Sequence, residues 1–370
     1  MRFDPRRVAL TLAAPVLALV AAVAIASLVL AAAGDPVIDV WRTILQPPKP
    51  RNVVNIINSA SVLYLSGLAV AIGFRMNLFN IGVDGQYRLA AFVAAVVAAQ
   101  GWLPGVLNIV LTIVVAMLVG AMWAGVAAIL KVTRGVSEVI STIMLNAIAT
   151  ALVAYLLRKA SVQVAGSNNI GTAPIPEDSR MPGIALIPGA PNEVYGFVVV
   201  AIAAGIAYSV LLSRTTFGFN LRATGRSESA AVASGIDVKR MVVIAMLISG
   251  GVAGLVGMPL LLGSAYSYGL TFQSGLGFAG IAVALLGRNN PVGIAIGALL
   301  FSYLNEQSNP LQILVGVSDD IVKIVQGIVV LTVVIAYEVV RRYGVAQEQR
   351  KVARELANQR RRDTEEVSAA

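Results

Sequence analysis

The sequence contains no cysteine and no histidine among its 370 residues, and only 13% of those residues are charged. The absence of cysteine excludes disulfides, thiolate metal sites and cysteine nucleophiles. The absence of histidine removes the commonest metal ligand and the usual general base. Only carboxylate, lysine, tyrosine or serine chemistry stays open, and the sequence shows no cluster of such groups. We therefore expect no enzymatic activity, no metal and no cofactor.

Hydrophobic residues make up 57% of the chain, above the roughly 45–50% of a soluble domain. They fall in blocks of about 20 residues, long enough to cross a hydrocarbon core of about 30 Å. The sequence predicts an all-α polytopic membrane protein whose transmembrane domain covers residues 1–341. About ten spans are expected, at 8–33, 53–74, 82–100, 105–130, 136–158, 194–213, 241–263, 276–287, 292–308 and 319–341. The first is interpreted as an uncleaved helix.

Two of the predicted spans, the eighth and the ninth, are short. Gly275, Gly277 and Gly280 open the eighth, and Pro291 follows it. Short apolar segments interrupted by glycine and proline are typical of broken or re-entrant helices that are buried in protein. Whether the region from 276 to 308 crosses the membrane fully is left open by the sequence.

Small residues recur in the seventh predicted span at a spacing that favours close helix packing. Gly250 and Gly254 form a G-x-x-x-G pair, and Ala253 and Gly257 repeat the same spacing. Such pairs allow two helix backbones to approach each other. We interpret both as packing signals that say little about a substrate.

The formal charge of +9 comes from 28 Lys and Arg against 19 Asp and Glu. The basic residues lie mostly at helix ends and in the tail, which favours the positive-inside rule over nucleic-acid binding. Their distribution predicts that both termini are cytoplasmic. It also predicts that residues 159–193, which are rich in proline and glycine, form an extracytoplasmic loop. Residues 342–370 are expected to form a charged cytoplasmic tail.

The segment 214–240 is the most informative part of the chain. It is polar, lies inside on this topology, and is far longer than the usual connection of about 4–6 residues. Ser227 followed by Glu228 predicts the start of a short helix, and Gly235 predicts its end. Such a helix can dock on a partner protein and transmit its movement to the membrane helices. The alternative is a simple linker.

Polar residues also surround the entrance to the third predicted span. Asn77, Asn80, Asp84 and Gln86 lie around two glycines. Polar groups at membrane depth are costly unless they face protein or water. They either line a substrate pathway in a broken helix, or form a structural turn in which Asp84 pairs with Arg88 at i,i+4. The residues alone do not decide between the two.

A run of aromatic residues precedes the eighth predicted span. Tyr266, Tyr268 and Phe272 could stack on a purine or pyrimidine while Gln273 bonds its edge. Tyrosine is also common in the aromatic belt at the membrane interface, and this alternative stays open.

Three motifs together resemble the ABC importer permeases of the branched-chain amino acid and simple-sugar type. The stretch "FNIGVDGQ" at 79–86 resembles a signature of that family, and "LRATGRSESAAVASGIDVKR" at 221–240 resembles its ATPase-coupling loop. The stretch "FAGIAVALLGRNNPVGI" at 278–294 is similar to the nucleoside and purine branch. The resemblance implies that the ATPase is contacted by Arg222, Gly225, Glu228, Ala231 and Gly235.

The resemblance also implies partners and a cargo. It implies a separate ABC ATPase, a second permease that forms a heterodimer with this chain, and an extracytoplasmic substrate-binding lipoprotein in a bacterial inner membrane. No phosphate-binding loop occurs in the sequence, in agreement with ATP hydrolysis on another chain. The implied small-molecule cargo is a nucleoside or purine, with a simple sugar next.

A proton- or sodium-coupled carrier is the main rival interpretation. Such a carrier needs carboxylates near the bilayer midplane, whereas Glu306, Asp319 and Asp320 lie at the edge of the last predicted helix pair. The near absence of acidic residues from the centres of the spans weakens this interpretation.

Overall fold

A computed structural model describes residues 5–163, 170–318 and 320–340, and the single positions 342, 343, 346 and 349. Side chains are described from residue 19 onward within these ranges, except at Gln163. The predicted tail at 342–370, apart from the four single positions, lies outside the described residues. So does Asp319.

The described residues are mostly helical, as the hydrophobic blocks predict. The first helices are α1 (Pro5–Ala33), α2 (Val37–Ile44), α3 (Pro50–Phe74), α4 (Val83–Ala99), α5 (Val106–Arg134), α6 (Glu138–Ala160) and α7 (Phe197–Arg214). They are followed by α8 (Thr216–Arg226), α9 (Glu228–Ala233), α10 (Val238–Gly254), α11 (Met258–Leu260), α12 (Leu276–Leu286), α13 (Pro291–Glu306), α14 (Ser308–Val315) and α15 (Asp320–Val340). A helix occupies each of the ten predicted spans.

Six helical stretches are long and apolar enough to cross a membrane, among the residues that the structure describes. They are Pro50–Phe74, Val106–Arg134, Glu138–Ala160, Phe197–Arg214, Val238–Ala265 and Asp320–Val340. The helices α4, α12 and α13 are shorter, with 17, 11 and 16 residues. The chain is therefore a multi-pass membrane protein that combines full-length helices with shorter ones.

The chain divides into two compact units. The first unit comprises residues 1–43 and 311–370, and contains α1 and α15. In it the indole nitrogen of Trp41 donates a hydrogen bond of 2.8 Å to the hydroxyl of Ser27. The second unit, residues 44–310, contains α3 to α13, the three motifs and the aromatic segment before the eighth predicted span.

Burial distinguishes central from peripheral helices within the second unit. The apolar stretch of α3 is 83% buried, and that of Val238–Ala265 is 72% buried. In contrast, α5, α6 and α7 are only 22–33% buried and present apolar side chains outward. Outward apolar faces are what a helix in contact with lipid or a second membrane subunit requires. The core of this unit therefore lies around α3 and α10.

Glycines allow α5 and α10 to pack with their backbones in contact. A Cβ atom on Gly250 would overlap the carbonyl oxygen of Gly120, and one on Gly254 would overlap that of Ala116. The predicted packing role of the G-x-x-x-G pair is confirmed. The second pair has other neighbours, because Gly257 packs against Ala91 and the ring of Phe272.

The helix α3 forms an axis for the short helices α12 and α13. The hydroxyl of Ser66 donates a 2.8 Å hydrogen bond to the carbonyl of Leu276, at the start of α12. Gly280 of α12 lies directly against Ser66, and Gly67 lies against Ile294 of α13. Ser66 lies about 12 Å from the end of α3 at about 1.5 Å per residue, so α12 begins part-way along the axis.

The loop between α6 and α7 is irregular, as its prolines and glycines predict, and covers residues 161–196 rather than 159–193. It contains the antiparallel strand pairs Val162–Gln163 with Ile170–Gly171, and Gly183–Ile184 with Val194–Tyr195. The side chain of Asn58, near the start of α3, bonds the backbone of both Glu193 and Tyr195. The loop therefore lies near the N-terminal end of α3.

We predict that the contact between α5 and α10 tolerates no added methyl group at its closest point. Gly254→Ala should lower the free energy of unfolding by about 1–3 kcal/mol, because overpacking forces the backbones apart. Gly251→Ala is the matched control, since its new Cβ would have 3.7 Å to the nearest heavy atom. Thermal unfolding of the purified variants in detergent measures the difference. Equal melting temperatures for the two variants would contradict the packing described.

Candidate functional site

The motif at 79–86 forms a turn between α3 and α4 that is held by buried amide groups. Asn80 is fully buried, and its amide bonds that of Gln86 reciprocally, at 3.0 and 2.9 Å. It also donates to the hydroxyl of Ser249 on α10 at 2.9 Å and accepts from the backbone of Gly82 at 3.0 Å. A buried polar network of this kind rigidifies a turn when its members are satisfied.

Asp84 holds the beginning of α12. One of its carboxylate oxygens accepts a hydrogen bond of 3.2 Å from the backbone N–H of Gly277, which is among the unpaired donors of that helix. Arg88 instead donates to the hydroxyl of Thr150 at 3.0 Å. Among the ion pairs of the described residues, none joins Asp84 to Arg88, so that part of the turn hypothesis is wrong.

The buried positions of Asn80, Asp84 and Gln86 favour the structural-turn alternative. Their polar atoms form hydrogen bonds with other parts of the chain. The polar atoms of a residue that lines a pathway would instead face water or a substrate. Asn77 differs from these three. It has a positive φ of 57°, and its amide donates a 2.8 Å hydrogen bond to the carbonyl of Gly225, at the end of α8.

The segment 214–240 contains two helices where the sequence predicted one. Ser227 caps the predicted short helix α9 by accepting from the backbone of Ala230, and Gly235 follows it with a φ of +80°. The start and end signals are thus confirmed. The helix α8 was missed, although Thr215 supplies a cap signal by accepting from the backbone of Gly218 at 3.0 Å.

The five residues expected at the ATPase contact divide into two groups. Arg222 donates to the carbonyl of Leu212, Gly225 packs against the backbone of Arg75, and Ala231 is only 2% exposed. These three contact the chain itself. Glu228 and Gly235 are exposed.

Two apolar side chains on the same segment are exposed and were not predicted. Phe219 on α8 is 63% exposed, and Val232 on α9 is 59% exposed. The sequence did contain a signal for these two residues. A large apolar residue in a short polar segment outside the spans either packs inward or contacts a partner protein.

The turn between α12 and α13 lies against the same end of α3. Arg75 donates two hydrogen bonds, of 2.7 and 3.2 Å, to the backbone carbonyl of Asn289. The hydroxyl of Tyr208 on α7 donates to the same carbonyl at 2.8 Å. Asn290 begins α13 by accepting a hydrogen bond from the backbone of Val292. The chain that follows α3 therefore contacts both the segment 214–240 and the turn between α12 and α13 at one end of the second unit.

The aromatic segment lies toward the other end of α3. Tyr268 is buried, stacks on Phe272 at 4.6 Å between ring centroids, and meets the ring of Phe92 edge-on at 5.7 Å. Tyr266 has a positive φ of 51°, and the guanidinium of Arg180 lies 4.4 Å from its ring centroid. Backbone hydrogen bonds tie this segment to the loop 161–196.

Two cavities of about 430 Å³ each adjoin this segment. Phe272 and Gln273 line one cavity together with the strand Ile170–Gly171 of the loop. Tyr266 lines the other, whose remaining polar lining is Arg51, Asn55, Asn58, Asn192, Glu193, Tyr195 and Ser264. Both volumes lie in the range of small-molecule sites. The predicted aromatic residues thus border space that could hold a polar solute.

These features define a multi-pass membrane protein with cavities at one end and a polar helical segment at the other. The chain belongs to the family described as branched-chain amino acid transport system / permease component, whose model matches residues 52–334. It is accordingly a transporter subunit and not an enzyme, as its composition predicted. The family predicted from the three motifs is confirmed.

Individual relatives support the same assignment. The chain is 31% identical over 362 residues to the glucose ABC transporter permease protein TsgB13 of Haloferax volcanii, covering 93% of both chains. It is 34% identical to the guanosine ABC transporter permease protein NupP of Bacillus subtilis, covering 74% of this chain and 78% of the relative. It is also 26% identical to the guanosine ABC transporter permease protein NupQ of Bacillus subtilis, covering 65% and 76%.

We predict that Asp84 stabilises the start of α12 because its carboxylate accepts a hydrogen bond, and not because it is negatively charged. Asp84→Ala should lower the stability of the purified protein by about 1 kcal/mol, as the loss of a cap typically does. Asp84→Asn keeps an oxygen acceptor and should be close to the wild type. Thermal unfolding in detergent compares the two variants. If Asp84→Asn unfolds as early as Asp84→Ala, the capping role is wrong.

Proposed function

We propose that this permease imports nucleosides or purines across a bacterial plasma membrane, driven by a separate ABC ATPase. The observation that carries the proposal is that the chain after α3 contacts both the segment 214–240 and the turn between α12 and α13. These contacts lie at the opposite end of α3 from the two cavities lined by Tyr266, Phe272 and Gln273. A movement of the segment 214–240 at one end can thereby act on helices that extend to the cavities near the other end. Family membership and the relatives named for guanosine support this proposal.

The proposed topology has ten spans with both termini in the cytoplasm. It places the segment 214–240 inside and the loop 161–196 outside. Support comes from the attachment of these two segments to opposite ends of α3. With 25 residues, α3 is about 37 Å long, enough to cross the hydrocarbon core.

The proposed ATPase contact is the exposed surface of α8 and α9. It is formed by Phe219, Glu228, Val232 and Gly235, and Arg226 is exposed beside them. Apolar residues surrounded by charges are what a protein interface requires, because the apolar groups supply affinity and the charges at the rim supply specificity. Arg222, Gly225 and Ala231 support this surface from beneath.

The proposed partners also include a second, different permease and an extracytoplasmic binding lipoprotein. The similarity of this chain to two different guanosine permease proteins of one bacterium supports the pairing of unlike permeases. The lipoprotein would deliver the solute at the end that carries the loop 161–196. From there the solute would enter the cavities lined by Tyr266, Phe272 and Gln273.

A simple sugar is the second candidate cargo, because one relative is named for glucose and matches nearly the whole chain. The cavity linings do not decide between the two, since tyrosine, asparagine and glutamate bind both sugar hydroxyls and nucleosides. The nucleoside proposal depends on the stretch 278–294 and on the relatives named for guanosine.

We predict that the surface of α9 contacts the ATPase from inside the cell. Because the chain has no cysteine, single-cysteine variants give an unambiguous readout. Val232→Cys should crosslink to the ATPase and react with an impermeant maleimide only after permeabilisation. Leu186→Cys, 58% exposed in the loop 161–196, is the matched control and should react in intact cells without crosslinking. The opposite pattern would reject the proposed topology and contact together.

We predict that deletion of this chain abolishes uptake of tritiated guanosine and adenosine while uptake of labelled glucose and ribose continues. Uptake by the deletion strain and by a complemented strain measures the difference. Loss of sugar uptake with normal nucleoside uptake would replace the nucleoside proposal with the sugar alternative.

A further inference from the structure

The turn between α12 and α13 has a backbone conformation that the rest of the chain must hold in place. Arg288 and Asn289 both have a positive φ, of 54° and 55°, and neither is glycine. Consecutive left-handed residues of this kind are unfavourable and persist only where surrounding contacts stabilise them. The carbonyl of Asn289 is held by Arg75 from α3's end and by Tyr208 from α7. The conformation of this turn therefore depends on those donors.

Arg75, which holds this turn, lies two positions before Asn77, which contacts α8. Asn77 bonds the carbonyl of Gly225, and Gly225 in turn packs against the backbone of Arg75. A displacement of α8 therefore moves the backbone that carries the Arg75 guanidinium. The contact is backbone to backbone, which makes it stiffer than one through flexible side chains.

The helix α12 extends from this turn toward the cavity lined by Phe272 and Gln273. It has 11 residues, about 16 Å, and starts at Leu276, next to the segment that lines one cavity. Its first turn is held by Asp84 and Ser66. The hydroxyl of Tyr87 on α4 donates to the carbonyl of Gln273 at 2.8 Å, just before α12.

We propose that Arg75 and Tyr208 are positioning residues for energy coupling. Together with the carbonyl of Asn289 they form a latch that makes the turn 287–290 follow the movement of α8. This inference rests on the proposed function, because it assumes that the ATPase moves α8. It adds the residues through which that movement reaches α12, and thus the cavity lined by Phe272 and Gln273.

The test compares transport with ATP hydrolysis in the complete complex. The chain is purified with its ATPase and second permease, reconstituted in liposomes with its binding lipoprotein, and supplied with tritiated guanosine. Tyr208→Phe removes one donor and little else. We expect the guanosine transported per ATP hydrolysed to fall about three- to tenfold, as loss of one hydrogen bond in a two-state equilibrium predicts, while the ATPase stays bound and active.

Three further variants separate coupling from folding. Tyr303→Phe is the matched control, because its hydroxyl also donates to backbone carbonyls, those of Ile44 and Gln46, away from the latch. Tyr303→Phe should leave the ratio of guanosine transported to ATP hydrolysed unchanged. Arg75→Lys keeps one charged donor and should lose less coupling than Arg75→Gln. A structural role alone would lower transport and ATP hydrolysis in parallel and leave their ratio constant.

The failure of the latch and the failure of the proposed function are distinguishable. If the wild-type complex transports neither guanosine nor adenosine, the proposed function is wrong. If the wild-type complex transports guanosine and Tyr208→Phe has the same ratio of transport to hydrolysis, the latch alone is wrong. The latch is equally wrong if Tyr303→Phe lowers the ratio as much as Tyr208→Phe.

Discussion

Helix backbones in the second unit approach each other closely at glycine residues, and the positions of the functional segments depend on that approach. Gly254 brings α10 onto α5, and Gly280 brings α12 onto α3. Gly277 allows α12 to start against Asp84, and Gly225 allows α8 to lie on the turn after α3. In an apolar surrounding, helix association depends on packing and on interhelical hydrogen bonds, because there is no hydrophobic drive between helices. Each of these glycines permits a contact of that kind.

The close contacts explain how polar motifs are accommodated in a largely apolar chain. The amides of Asn80 and Gln86 bond one another and reach α10 through Ser249. Pairing within the protein removes the cost of burying these groups. The same arrangement fixes the orientation of α3 relative to α4 and α10. A signature that looks polar enough to bind a solute therefore serves to join three helices.

The sequence predicted the fold well where hydrophobic length decides it. Among the described residues each predicted span contains a helix, and six helical stretches are long and apolar enough to cross a membrane. An apolar block of about 20 residues has few alternatives to a helix in a membrane. The helix α8 escaped prediction since it is short, mixed in character and contains two glycines, so its periodicity is weak. Its stability comes from contacts with the turn at Arg75, which are distant in sequence.

The candidate site was predictable by segment but less so by residue. The motif segments predicted the family correctly, whereas the ATPase contact stays a prediction. Ala231 and Gly225 lie against the chain itself, while Phe219 and Val232, which the sequence analysis did not name, are exposed. Which face of a six-residue helix is buried depends on its neighbours and not on its own pattern. Tyr208 and Arg75 could not be found from the sequence, because their shared partner is a backbone carbonyl and carries no side-chain signal.

The shortness of α12 has a consequence for how deeply water enters the protein. A helix of about 16 Å covers only half of a hydrocarbon core of about 30 Å, so the chain before Leu276 lies at mid-depth without helical hydrogen bonds. Such backbone persists in a bilayer only inside protein or beside a wet crevice. The neighbouring cavity, which is lined by Phe272 and Gln273, gives water the space to reach this stretch of backbone.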